Sequence, residues 1–178
     1  PPRIRALRRT LAEHLGRDLR DDQVVDVIRG GPSIEVQLAR YLGEGDHVAA
    51  VVEAYRTHYY HPERPPVPVY PGLAEVLSAL PARGVRVAMV TSRYRLGANG
   101  NPVWGVGWEL KLLGMADLFE VVVGFEDTEE HKPSPQPFEA CIAQLGLPPE
   151  TVLAVGDTPF DMHGARAAGA VAAAALWG

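Results

Sequence analysis

The run Val85-Arg86-Val87-Ala88-Met89-Val90-Thr91-Ser92 decides how this chain is read. A short, mostly apolar segment rich in valine ends abruptly in two hydroxyls. That is the pattern of a strand buried on both faces and followed by a polar turn. It has a counterpart downstream in Val152-Leu153-Ala154-Val155-Gly156-Asp157, and shorter partners at Val121-Val122-Val123 and in the Ala-rich stretch after Val171. Between these runs the period changes. Leu73, Val76, Leu77 and Leu80 recur at helical spacing, and helices are also expected from Trp108 to Leu113, Pro135 to Leu145 and Met162 to Ala168. Strands alternating with helices form βαβ units, so the expected fold class is α/β with a parallel sheet.

Upstream the patterning is helical only. Ile4, Leu7, Leu11 and Leu15 mark one face of an amphipathic helix, and Asp21 or Asp22 is placed to cap a second around Val24 to Ile28. Ser33, after Gly30-Gly31-Pro32, is placed to cap a third through Leu38, Tyr41 and Leu42, and a fourth carries Val48, Val51, Val52 and Tyr55. The proline-rich stretch from His61 to Gly72 cannot be a helix interior and suits an extended linker. Two domains are therefore expected, 1–66 helical and 67–178 α/β.

Composition narrows the function classes. The 178 residues are 47% apolar and 22% charged, as in an ordinary globular protein. A net charge of −5 argues against a nucleic-acid partner. Cys141 is the single cysteine, which excludes an internal disulfide framework and a cysteine-rich zinc site and suits a reducing, cytoplasmic compartment. No apolar run approaches the roughly 18 residues that span a bilayer. The N-terminus has no apolar region of a signal peptide and no initiator Met, so the chain is expected to begin inside a longer reading frame.

In parallel sheets ligands bind beyond the carboxyl ends of the strands. The polar residues there are Thr91 and Ser92, Asp157 with Asp161, and Lys132 in the loop after Val123. Two carboxylates four residues apart at a strand-to-helix turn suit Mg2+, which takes few carboxylates and keeps its waters. A hydroxyl, an ammonium and a cation converging on one point describe a phosphate site. Each piece alone also has a plainer reading: the aspartates and the Thr-Ser as caps, the lysine as a solvated surface residue.

Val90-Thr91-Ser92-Arg93, then His131-Lys132-Pro133-Ser134-Pro135-Gln136-Pro137-Phe138, then Val155-Gly156-Asp157-Thr158-Pro159-Phe160-Asp161 resemble three successive motifs of the haloacid dehalogenase-like hydrolases. Tyr70-Pro71-Gly72 and Ala165 to Gly169 look like the phosphoglycolate-phosphatase and pyrophosphatase-like branch. The resemblance covers about Tyr70 to Gly178, and the helical part by type only. It implies a three-layer Rossmann-like core with a small helical cap domain. It implies a Mg2+-dependent phosphatase acting on a small phosphorylated metabolite, phosphoglycolate-like, as a monomer or homodimer with no membrane or nucleic-acid partner. In it Thr91 binds the transferring phosphoryl group, Lys132 neutralises charge, Asp157 ligates the metal, Asp161 supports the metal shell, and Ser92 and Arg93 border the substrate.

One departure matters. The family's nucleophile is an aspartate of an Asp-x-Asp motif on a first strand before the cap, and no Asp-x-Asp occurs in these 178 residues. The expected mechanism therefore runs through an aspartyl-phosphate whose Asp lies outside this chain. Two alternatives stand beside it: an inactive phosphate- or partner-binding module, and a sugar phosphomutase. The stretch from Leu96 to Trp104 is longer than the family usually has and leaves the role of Arg93 open.

Arg29 and Ser33, at the loop before the third helix, are candidates for substrate selection through the cap; a simple helix–helix turn explains them as well. His58 and His61 could hold a metal, or mark a frayed helix end. Trp104 and Trp108 are expected to pack on one another or on the cap. Gly105-Val106-Gly107 fails the dinucleotide fingerprint, because Leu110 stands where the third glycine belongs.

Overall fold

A computed structural model describes residues 2–31, 33–60, 68–96 and 105–177. The linker 61–67 with His61, and the loop 97–104 with Trp104, lie outside the described residues. The chain divides into two compact units, Pro1–Val67 and Pro68–Gly178.

The first unit is four helices: α1 (Pro2–Leu15), α2 (Asp21–Ile28), α3 (Ile34–Leu42) and α4 (Asp46–Tyr59). α4 packs on both α1 and α3. Leu7, Leu11, Val24 and Leu38 are fully buried, with Val51, Val52, Tyr55 and Tyr59 of α4 closing the core. The buried stripe of α1 is Ala6, Leu7, Thr10 and Leu11, one step round from the expected face. Asp21 and Asp22 sit in the first turn of α2 instead of capping it; the cap position is Arg20, whose amide donates to Gln23 Oε1. Acidic residues there still meet the positive end of the helix dipole. On α3 it is Gln37, not Tyr41, that is buried beside Leu38, because Gln37 Nε2 donates to the Gly31 carbonyl at 2.6 Å and satisfies the turn.

The second unit carries α5 (Leu73–Ala79), β1 (Ala88–Val90), α6 (Val106–Leu112), β2 (Val121–Val123), α7 (Gln136–Leu145), β3 (Leu153–Gly156), α8 (Pro159–Ala167) and β4 (Val171–Ala174). All pairing is parallel: Ala88 with Val121 through Val90 with Val123, and Leu153 with Val171 through Gly156 with Ala174. Period-two alternation makes layers. Ala88, Val90, Val121 and Val123 pack toward Cys141 and Leu145 of α7. Met89 and Val122, on the opposite face, pack with Ala74 and Leu77 of α5 and Leu110 of α6. This is a three-layer, Rossmann-like α/β arrangement.

The sheet is in two halves. Among the described residues β1 pairs only with β2, and β3 only with β4. α7 holds both, since Phe138 and Ile142 pack on Ala154 and Ala172 while Cys141 and Leu145 pack on β1 and β2. Between β1 and β3 lies a cavity of about 810 Å³, lined by Ala88 and Val90 on one side and Leu153, Ala154 and Val155 on the other. Val121 and Val123 of β2 are buried and Val122 is half-buried, whereas burial falls off in its neighbours. The strand read over 85–90 is regular only over Ala88–Val90, with Val85 45% exposed, and one face of β3 and β4 is open, with Leu153, Val155 and Val171 all more than half exposed. A strand with one unpaired edge and one uncovered face loses half the contacts that bury it.

Candidate active site

Lys132 ties the carboxyl end of β1 to the first turn of α8, which follows β3. Thr91 follows Val90 directly; its amide still donates to the Val123 carbonyl at 2.9 Å, so its backbone extends the ladder. Its Oγ1 accepts the Arg93 amide at 3.2 Å. The hydroxyl proton is thereby left to be donated elsewhere. The Ser92 amide makes no hydrogen bond among the described residues, so an anion arriving here would meet two adjacent donors.

Lys132 spans the two halves of the sheet. Its Nζ donates to the Val90 carbonyl at 3.3 Å and to Asp161 Oδ1 at 2.7 Å, with only 11% of the side chain exposed. Asp161 stands at the third position of α8. Its Oδ2 accepts from the Thr158 amide at 3.1 Å and the Thr158 hydroxyl at 2.5 Å. Thr158 Oγ1 in turn accepts the Asp161 amide, a reciprocal helix cap. Burial pushes the Asp161 carboxyl up, but Lys132 and Thr158 outweigh it and hold it below the ordinary carboxylate value. Gly156 makes this approach feasible: a Cβ there would lie 2.5 Å from the Asp161 Cβ.

Asp157, exposed immediately after β3, makes no side-chain hydrogen bond or ion pair among the described residues. No cluster of three metal-ligating side chains is present among them either. One open carboxylate, with a second four residues on that is already committed to Lys132 and Thr158, fits a cation that keeps most of its waters, such as Mg2+. The charge balance points the same way. Asp157 and Asp161 outweigh Lys132, so a dianionic ligand would be repelled unless a cation joined it.

The remaining expected residues take other places. Ser92 lies in the turn beside Thr91. Arg93 is half-buried, and its Nη1 donates to Oε2 of Glu109 at 2.7 Å. Glu109, on α6, is 5% exposed and was not a residue the sequence marked out, because a glutamate on an amphipathic helix looks like part of a solvated face. Arg29 and Ser33 belong to the helical unit. Arg29 is exposed beside Asp26, and Ser33 caps α3 by accepting the Val36 amide at 3.4 Å. His58 pairs with Glu13 at 2.8 Å. The loop after Thr91 is clamped: Glu126 accepts the Arg95 and Leu96 amides, and the Arg95 guanidinium pairs with Asp127.

Comparison with known proteins bears on this arrangement. The family model described as haloacid dehalogenase-like hydrolase matches residues 3–175. A protein provisionally named pyrophosphatase PpaX, from Caldanaerobacter subterraneus subsp. tengcongensis, is 33% identical over 171 residues, covering 94% of this chain and 71% of its own length. A phosphoglycolate phosphatase from Aquifex aeolicus is 33% identical over 175 residues, covering 97% and 76%. Among solved structures, a provisionally named haloacid dehalogenase-like hydrolase from Bacteroides fragilis superposes with a TM-score of 0.84 at 23% identity, over 99% of this chain and 80% of that one. This last likeness is one of fold.

Proposed function

The chain belongs to the haloacid dehalogenase-like hydrolases, among their phosphatases, and from that premise we propose that it releases phosphate from a small, phosphoglycolate-like metabolite with Mg2+ as cofactor. The observation that carries the reading is Lys132, a nearly buried ammonium joining the end of β1 beside Thr91 to Asp161 of α8. Thr91 and the Ser92 amide receive phosphoryl oxygens, and Lys132 neutralises charge that grows on them in the transition state. Asp157, with Asp161 behind it, would hold Mg2+, whose contribution when bound is to offset the negative charge of the phosphate group. Arg93 borders the substrate from the Thr91 loop, and Arg29 and Ser33 are the candidates for selecting it from the helical unit acting as a cap.

In this reading the nucleophile is a carboxylate of an Asp-x-Asp motif, which does not occur in these 178 residues. It attacks phosphorus, the ester P–O bond breaks, and the leaving oxygen takes up a proton. Water then attacks the aspartyl-phosphate, releasing inorganic phosphate and restoring the carboxylate. The cavity between the unpaired edges of β1 and β3 supports this placement, since a strand added there would end beside Thr91 and Lys132. The cytoplasm is the compartment that goes with such a substrate.

The test is phosphate release from phosphoglycolate and pyrophosphate by the protein carrying an Asp-ended apolar strand ahead of Pro1. Lys132→Ala and Asp157→Ala should each lower turnover by about 10²- to 10³-fold. A loss of less than tenfold for either would refute the assignment. Failure to release phosphate from any ester would favour the other reading, a phosphate-binding module without chemistry. The observation behind that second reading is that no Asp-x-Asp motif occurs in these 178 residues.

A further inference from the structure

Arg93 is anchored through both its backbone and its side chain. Its amide donates to Thr91 Oγ1, its carbonyl accepts the Phe125 amide at 2.9 Å, and its guanidinium donates to Glu109. Glu109 sits on α6, whose first amides also hold the same loop: Val106 N donates to the Tyr94 carbonyl at 2.8 Å, and Gly107 N to that of Arg95 at 3.1 Å. One helix thus grips three consecutive residues of the turn, 93 to 95, the first through a charged pair. A carboxylate that is 5% exposed is costly to keep without a charged partner, so a plain helix position would not favour it. Its contact is with the residue whose amide fixes the Thr91 hydroxyl.

We propose that Glu109 is a positioning residue for the Thr91 hydroxyl, acting through Arg93. The path is short and physical. Glu109 holds the Arg93 guanidinium, which limits how far the Arg93 backbone can turn. The Arg93 N–H then stays on Thr91 Oγ1, and the hydroxyl keeps its own proton for an incoming phosphoryl oxygen. This rests on the reading that Thr91 meets phosphate. It adds that the donor is pre-aimed by a buried ion pair lying outside the three sequence motifs.

Two measurements on the chain decide it. The first is hydrogen exchange of the Arg93 amide, which needs no ligand. Glu109→Gln keeps the shape and removes the charge, and it should speed that exchange by roughly tenfold. The second is calorimetric titration with inorganic phosphate in the presence of Mg2+. Glu109→Gln should weaken binding by roughly fivefold in the parent and leave it unchanged in a Thr91→Val background, the signature of coupled residues. A merely structural role predicts an equal loss in both backgrounds, and that result, or an unchanged Arg93 exchange rate, overturns the proposal. If the parent binds no phosphate, the phosphatase reading fails instead, and the exchange rate alone decides the tether. Should Glu109→Gln not fold, Glu109→Asp keeps the charge but draws the carboxylate away from the Arg93 guanidinium, and carries the same expectations.

Discussion

Asp127 shows how single side chains hold the Thr91 loop in place. Arg95 donates from Nε and Nη2 to its two oxygens at 3.1 Å each, and the Gly124 amide donates to Oδ2 at 2.7 Å. The Arg95 guanidinium, followed by the Gly124 amide, keeps the carboxyl below its ordinary value against some desolvation. A carboxyl depressed in the folded state stabilises above its unfolded pKa, near 3.9, and that stability is lost as pH falls through the lower folded value. Unfolding free energies from urea titration of the parent and Asp127→Asn should therefore differ by about 0.5–1 kcal/mol at pH 6, since the pair is partly exposed, and converge toward pH 2. A difference that persists unchanged to pH 2 would mean that shape, not charge, makes the contribution. At this scale the sequence was partly legible. Thr91 and Asp157 show themselves as polar residues ending apolar runs. The Lys132–Asp161 contact joins positions 29 apart, which no local pattern reveals.

At the scale of elements, the N-terminus of α8 ties helix stability to the site. Thr158 caps the helix, and its hydroxyl and amide both hold Asp161, the partner of Lys132. Thr158→Ala removes the cap, worth about 1 kcal/mol, and lets the carboxylate swing away from Lys132. Thr158→Ser keeps both. Circular dichroism melting should show the alanine variant less stable than the parent and the serine variant close to it, and equal melting of all three would show that α8 does not depend on this cap. The sequence contains this signal, an N-cap threonine with an acid three residues on, although a metal reading of the same aspartate draws attention away from it. Helix existence was legible from period 3.6, while registers were less so. The stripe of α1 is rotated, and Gln37 displaces Tyr41, because a polar side chain that satisfies a buried turn carbonyl outcompetes an aromatic at the edge.

For the whole molecule, the order of strands decides what the chain can do, and that order is non-local. Alternating strands and helices announce a parallel sheet, but nothing in the local pattern announces that it forms as two pairs joined through α7. Among the described residues each pair leaves one edge without a partner strand, and β1 and β3 line the same apolar cavity. Unpaired edges are costly and invite pairing. A strand placed between them would gain ladders on both sides and be buried on the face that α7 covers. Its direction follows from the parallel pairs, so its carboxyl end would come out at Thr91 and Lys132. Fusing an apolar Asp-ended strand ahead of Pro1 should therefore raise the thermal midpoint by a few degrees, each kcal/mol gained being worth about 2–4 °C in a chain of this size. Replacing the middle residue of that strand by proline should abolish the gain, because proline cannot donate to a ladder. Replacing its Asp by Asn should keep the gain and abolish turnover. A midpoint that ignores the fused strand would remove the cavity as the proposed seat of a nucleophile-bearing strand, and would favour reading Thr91, Lys132 and Asp157 as a phosphate site without chemistry.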